Sequence, residues 1–289
     1  MPPNEQAIIH RFNRPWTFFA LATIFPWTAW LIAAWFSRQP EPGTLSLSMV
    51  SLFAGLGLVL PMLVSWLLIR RDPVLRDDLW RRLSVKGLAW RNMLLGAAIM
   101  VGSILLAQLI SLAFGYSPEQ FLLANHASFS AGILVGWVPL LFAPIAEEIS
   151  WHGYGTDALR RSMNLFWTSI VFGVYWALWH LPLGFIEGYY QANLADSGPL
   201  HTLNFVVSLI PFVLLMNWLY YRSGRNIWVA VAFHLAANVF NELFQTHPDS
   251  KIIQTGLLLV LTVVIVVRDP SFFFGHLPAR TAQPRKALS

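Results

Sequence analysis

Residues 132–151 read GILVGWVPLLFAPIAEEISW, and this stretch decides the fold. Gly132–Ala146 carries no charge, and the run then meets two adjacent carboxylates, Glu147 and Glu148. About 20 apolar residues is the length that crosses a bilayer as a helix. A charge at mid-bilayer costs at least ~2.5–3 kcal/mol, so carboxylates in such a run are candidates for function before packing.

Outward from this run, the same apolar pattern repeats along the chain. The further runs are Trp16–Phe36, Leu45–Ile69, Asn92–Gly115, Phe166–Leu181, Thr202–Tyr221, Ile227–Phe244 and Ile252–Val267. With Gly132–Trp151, or beyond, they predict eight spans. A membrane barrel needs alternating ten-residue strands, which are absent, so the expected fold is an all-α, polytopic, eight-transmembrane-helix bundle. Composition agrees: 56% of the 289 residues are apolar and only 11% are charged, against roughly 25% charged in soluble domains. A soluble or disordered chain is excluded, and no pattern in the sequence points to nucleic acid. With no cysteine there is no disulfide framework, thiolate metal site or cysteine nucleophile. Residues 16–268 read as one membrane domain, with polar tails at 1–15 and 269–289. The first run ends without a small-x-small cleavage site, so it is expected to stay as a span.

Seventeen of the nineteen Lys and Arg fall in alternate segments beginning with the N-terminus; only Arg38 and Lys251 fall in the others. The positive-inside rule then puts both termini in the cytosol and fits a bacterial inner membrane. Many tryptophans, including Trp16, Trp35, Trp167, Trp218 and Trp228, fall near predicted span ends, as an interfacial belt would. The basic segment Leu79–Trp90 reads either as a surface-lying helix or as an ordinary cytosolic loop. Gly132 and Gly136 have the spacing of a helix-packing pair, but read better as ordinary membrane glycines.

Ionisable residues inside the runs are confined to three of them: Glu147, Glu148 and His152, then His180, then His234 with Glu242 near an end. Glu147 lies 16 residues before Met163 and His180 lies 17 after it, so a hairpin turning near Ser162–Asn164 brings them to one depth. His234 and Asn238 are four apart and share a helix face. Glu147, His180, His234 and Asn238 form a hydrolytic set. A carboxylate can act as general base toward water, and His and Asn can donate to a developing oxyanion. Two His and one Glu also match a catalytic zinc set, so Glu147, His180 and His234 are candidate ligands. Activation of a metal-free water is the equal alternative. Glu148 and His152, four apart, are expected to pair in a supporting role, because Glu147 and Glu148 diverge by about 100° around a helix.

Glu147-Glu148-Ile-Ser-Trp-His152, Trp176-Ala-Leu-Trp-His180 and His234-Leu-Ala-Ala-Asn238 resemble the three motifs of the CPBP intramembrane proteases. That family includes the type II CAAX prenyl endopeptidases and bacteriocin-processing or immunity proteins. Its patterns are E-E-x-x-x-R, F-x-x-x-H and H-x-x-x-N/D, and the resemblance covers about residues 134–241. It implies an eight-helix membrane peptidase that cleaves near a membrane-embedded or membrane-proximal segment, in contact with lipid. Its substrate would be a peptide or protein, lipidated or not. By position it implies that Glu147 is the base, His180 its water partner, and His234 with Asn238 the oxyanion pair. The sequence departs from the patterns at His152, where the family has Arg, and at Trp176, where it usually has Phe. The first departure removes a fixed charge and keeps a non-proteolytic immunity or scaffold role as the alternative. A transporter ranks third, since no inverted repeat or paired broken helix is evident.

Overall fold

The computed structural model describes residues 3–125, 127 and 130–275. The charges Arg280, Arg285 and Lys286, counted above toward a cytosolic tail, lie outside them. The described chain is almost wholly helical. It runs α1 (Pro3–Ile9), α2 (Pro15–Ser37), α3 (Thr44–Ile69), α4 (Pro73–Arg82), α5 (Trp90–Leu112), a two-strand hairpin β1 (Ser130–Ala131) and β2 (Leu134–Val135), and α6 (Trp137–Ser150). A π-helical turn, Trp151–Gly155, joins α6 to α7 (Thr156–Arg160). Then follow α8 (Leu165–Trp179), α9 (Tyr190–Asp196), α10 (Pro199–Arg222), α11 (Ile227–Leu243), α12 (Pro248–Arg268) and α13 (Pro270–Phe274).

Local chemistry explains the starts. Proline stands in the first turn of α2, α4, α10 and α12, where a missing N–H costs nothing. Asp72, Asn164 and Asn226 cap α4, α8 and α11 by accepting backbone N–H groups through their side chains.

Among the described residues, five helices are long and apolar enough to cross a membrane: α2, α3, α5, α10 and α12. A sixth counts if α8, its short 3₁₀ continuation Leu181–Phe185 and α9 are taken as one segment bent by 83°. The eight full-length spans expected above are therefore not reached. The difference falls on the segments that carry the motifs. The expected span Gly132–Trp151 starts as a hairpin instead of a helix, with Gly132 and Gly136 both at positive φ. Gly132 sits against α3 so closely that a Cβ would collide with the Leu47 carbonyl and Ser51 Oγ. It is a turn and close-approach glycine, outside any helix-packing pair. Pro182 ends α8 soon after His180, and α11 has 17 residues, about 26 Å. Glu147, Glu148 and His234 are turned into the protein and buried, while Val138, Leu141 and Phe142 of α6 and Trp167, Val174 and Leu178 of α8 are exposed on other faces.

The longer helices pack against α6, α8 and α11. α2 packs along α3, α11 lies against α5 and α6, and α10 lies between α8 and α12. Trp30, Trp151, Phe172, Trp176 and Trp179 form the aromatic centre, with Phe172 stacked on Trp176 and the other pairs edge to face or tilted. At one end of the bundle, four charges are buried together. Arg82 and Arg225 both pair with Asp78 and Asp157, Arg225 reaching Asp78 at 3.1 and 3.0 Å and Arg82 reaching Asp157 at 3.1 Å. Tyr220 and Tyr221 close the cluster through their hydroxyls. Arg82 also donates to the carbonyls of His152 and Gly153, which lie in the π turn. A π turn loosens the helical ladder, and a buried carbonyl there needs another donor. The basic segment read as a surface helix or a loop is thus part of each: α4 ends at Arg82, and exposed Trp80, Val85 and Trp90 flank the turn beyond it.

Candidate active site

α6, α8 and α11 bring Glu147, His180, His234 and Asn238 to the wall of one cavity of about 670 Å³. Glu147 is 6% exposed and sits in the last turn of α6. Its Oε2 accepts the indole N–H of Trp176 at 3.0 Å and, more weakly, that of Trp151 at 3.4 Å. Oε1 is left for the cavity. The Trp at position 176, where the motif usually has Phe, therefore supplies a hydrogen-bond donor that Phe lacks. Its ring also touches His180 and His234, with centroids at 5.5 and 5.2 Å, so one side chain spaces all three groups.

His180 ends α8 and donates from Nδ1 to the Trp176 carbonyl at 2.6 Å. That bond sets the tautomer and frees Nε2 to accept. His234 donates from Nδ1 to Glu148 Oε1 at 2.7 Å, which turns its Nε2 away from the carboxylate. Asn238 stands one turn further along α11, half-buried, with its side chain lining the same space. Glu148 has no exposure and does not line the cavity. Its Oε2 accepts from His152 Nδ1 at 2.5 Å, as the four-residue spacing predicts. Glu148 is thus a shared acceptor for two histidines.

Among the described residues, no three or more His, Asp or Glu side chains are grouped so as to hold a metal ion. In the candidate set, Glu147 Oε2, His180 Nδ1 and His234 Nδ1 are each bonded to protein, and the chemistry below is derived from the side chains alone.

Sequence reasoning missed several participants. Trp151 donates to Glu147 from four residues away, a spacing that could have flagged it. Asn217 of α10 accepts from His152 Nε2 at 2.9 Å, and an amide inside an apolar helix was itself a signal. The bond from His234 to Glu148 joins residues 86 apart and has no local signature.

Residues 128–240 match the family described as type II CAAX prenyl endopeptidase, Rce1-like. The chain is 33% identical over 224 residues to CAAX prenyl protease 2 of Methanococcus maripaludis, covering 76% of this chain and 83% of that protein. A shorter match, 30% identical over 118 residues, is to a green-light absorbing proteorhodopsin of Gamma-proteobacterium EBAC31A08. It covers 40% of this chain and 44% of the relative, too little to assign a family.

Proposed function

Because the chain belongs to the Rce1-like family of type II CAAX prenyl endopeptidases, we propose that it is a multi-pass membrane peptidase that uses Glu147 to activate water. The substrate is a peptide or protein cut close to the membrane, with a lipidated C-terminal CAAX-type segment as the class its relatives' names suggest. The observation that carries the reading is the convergence of Glu147, His180, His234 and Asn238 on one cavity, with Glu147 held from behind by two indoles.

The reaction follows from the donors and acceptors. Water sits between Glu147 Oε1 and His180 Nε2, the two acceptors that face the cavity. As its oxygen attacks the scissile carbonyl, Glu147 takes a proton, and no acyl-enzyme forms. Negative charge gathers on the carbonyl oxygen. Asn238 donates its amide N–H to that oxygen, and His234 donates from Nε2, with the Glu148 carboxylate as countercharge to the ring. Glu147 then returns the proton to the departing amine. Trp176 and Trp151 keep the carboxylate in place while its other oxygen works.

Orientation follows the charge bias, with both termini and residues 70–91 on the cytosolic side of an inner membrane. The test is mass spectrometry of products from peptides ending in a CAAX segment, with and without a prenyl group on the cysteine. A single new C-terminus in the purified protein's products supports the reading. Intact peptides of both kinds would favour the non-proteolytic alternative.

A further inference from the structure

His152 has no exposed surface, and an oxygen meets its ring on each side. Nδ1 lies 2.5 Å from Glu148 Oε2, and Nε2 lies 2.9 Å from Asn217 Oδ1. The far side of Asn217 fixes which way its amide points. Asn217 Nδ2 lies 2.9 Å from Ser169 Oγ, and that hydroxyl gives its one proton to the Leu165 carbonyl at 2.9 Å. Ser169 can therefore only accept from Asn217, so the amide nitrogen faces Ser169 and the amide oxygen faces His152. With acceptors on both sides, the ring donates from both nitrogens.

The remaining neighbours do not disturb this. Tyr220 lies across the ring at a centroid distance of 4.3 Å, and its hydroxyl donates to the His152 carbonyl at 3.3 Å. Arg82 donates to the same carbonyl and stays on the backbone side. Glu148 is the carboxylate bonded to the ring, and its other oxygen holds His234. Ser169, Asn217, His152, Glu148 and His234 thus form one chain of hydrogen bonds that runs from α8 through α10 and α6 to the cavity wall on α11.

We propose that Asn217 is a positioning residue for peptide hydrolysis: aimed by Ser169, it holds His152 as a two-sided donor and so fixes the Glu148 carboxylate that orients His234. The proposal rests on the proteolytic reading above. Asn217 touches no substrate, and its effect passes through two side chains.

The test measures kcat and KM on a cleaved peptide for wild type, Asn217→Leu and Asn217→Asp, each also in a His152→Arg background. Leucine keeps the volume and removes the acceptor; aspartate keeps an acceptor oxygen at the same place. Asn217→Leu should lower kcat roughly 10–100-fold, the usual cost of losing an orienting partner, and leave KM nearly unchanged. Asn217→Asp should stay near wild type. A guanidinium has five donors and no acceptor, so in the His152→Arg background Asn217→Leu should cost about threefold or less. Nitrogen NMR on labelled histidine gives a second readout that needs no substrate. Wild type should show His152 with a proton on both ring nitrogens, and Asn217→Leu should lose the hydrogen-bonded Nε2 signal. Wild-type kcat in Asn217→Leu, or an unprotonated His152 Nε2 in wild type, overturns the proposal. So does a loss equally large in the His152→Arg background, which would mark Asn217 as structural only. A wild type that cleaves nothing overturns the proteolytic reading itself and is told apart by an NMR result that still shows the two-sided ring.

Discussion

Replacing Glu148 by glutamine removes one charge and turns one acceptor oxygen into a donor. Both oxygens of Glu148 accept from histidine, Oε2 from His152 at 2.5 Å and Oε1 from His234 at 2.7 Å, with the carboxylate fully buried. An amide can satisfy one of these N–H groups and must oppose the other, donor to donor. Breaking a buried pair of this kind costs about 3–5 kcal/mol, because the surviving partner is left without its countercharge. For a chain of this size that corresponds to a fall in Tm on the order of 10 °C. The same substitution at Glu147 should behave differently. Only Oε2 of Glu147 is engaged by protein, accepting from Trp176 and Trp151, and a glutamine oxygen accepts from both as well. Glu147→Gln should therefore unfold within a few degrees of wild type, yet lose at least the roughly 10²-fold that a general base contributes. Thermal unfolding in detergent followed by the fluorescence of the 14 tryptophans, beside peptide cleavage, reads both effects. A Glu148→Gln protein as stable as wild type, or a Glu147→Gln protein as unstable as Glu148→Gln, would refute the division of labour between the two carboxylates.

His180→Ala should be nearly as damaging to turnover as loss of the base, and Asn238→Ala should cost on the order of 10²-fold in kcat as one oxyanion donor is removed; steady-state kinetics on folded variants checks both. Burial pushes the Asp78 carboxyl up, but the guanidiniums of Arg82, Arg225 and Arg81 outweigh it and hold the group below the usual carboxylate range. Its stabilising contribution is then complete above the unfolded value of ~3.9 and is lost as pH falls through the lower folded value. Tm should accordingly drop as pH falls below about 4, and Asp78→Asn should be less stable near neutrality with a flatter acid limb. Single cysteines introduced beside Arg81 should react with an impermeant reagent only from the cytosolic side, since the chain has no native cysteine; labelling from outside intact cells would contradict the orientation.

The residues that line the cavity were legible because their chemistry leaves a local trace. Glu147, His180 and His234 are ionisable groups in apolar runs, and Asn238 follows His234 by one turn. The pairing of Glu148 with His152 was legible for the same reason, a four-residue spacing on one helix. What was not legible depends on contacts between helices. Nothing near Glu148 in the chain announces that His234 is its second partner, and nothing near Arg82 or Arg225 separates them from the other cations between the apolar runs. Read as topology charges, those two arginines are in fact buried with Asp78 and Asp157, and Arg82 also donates to the π turn. The span count overreached where an apolar run stayed continuous but the backbone did not. Gly132 turns a hairpin, Gly136 precedes α6 at positive φ, and Pro182 follows α8, so continuous apolar runs correspond to shorter helices in the structure.

The most direct test of the central claim is kcat/KM of purified wild type and Glu147→Gln, side by side on one prenylated CAAX peptide. The account predicts cleavage by wild type and a loss of at least ~10²-fold in a Glu147→Gln protein that is folded and still binds the peptide. Cleavage by Glu147→Gln at the wild-type rate would contradict it.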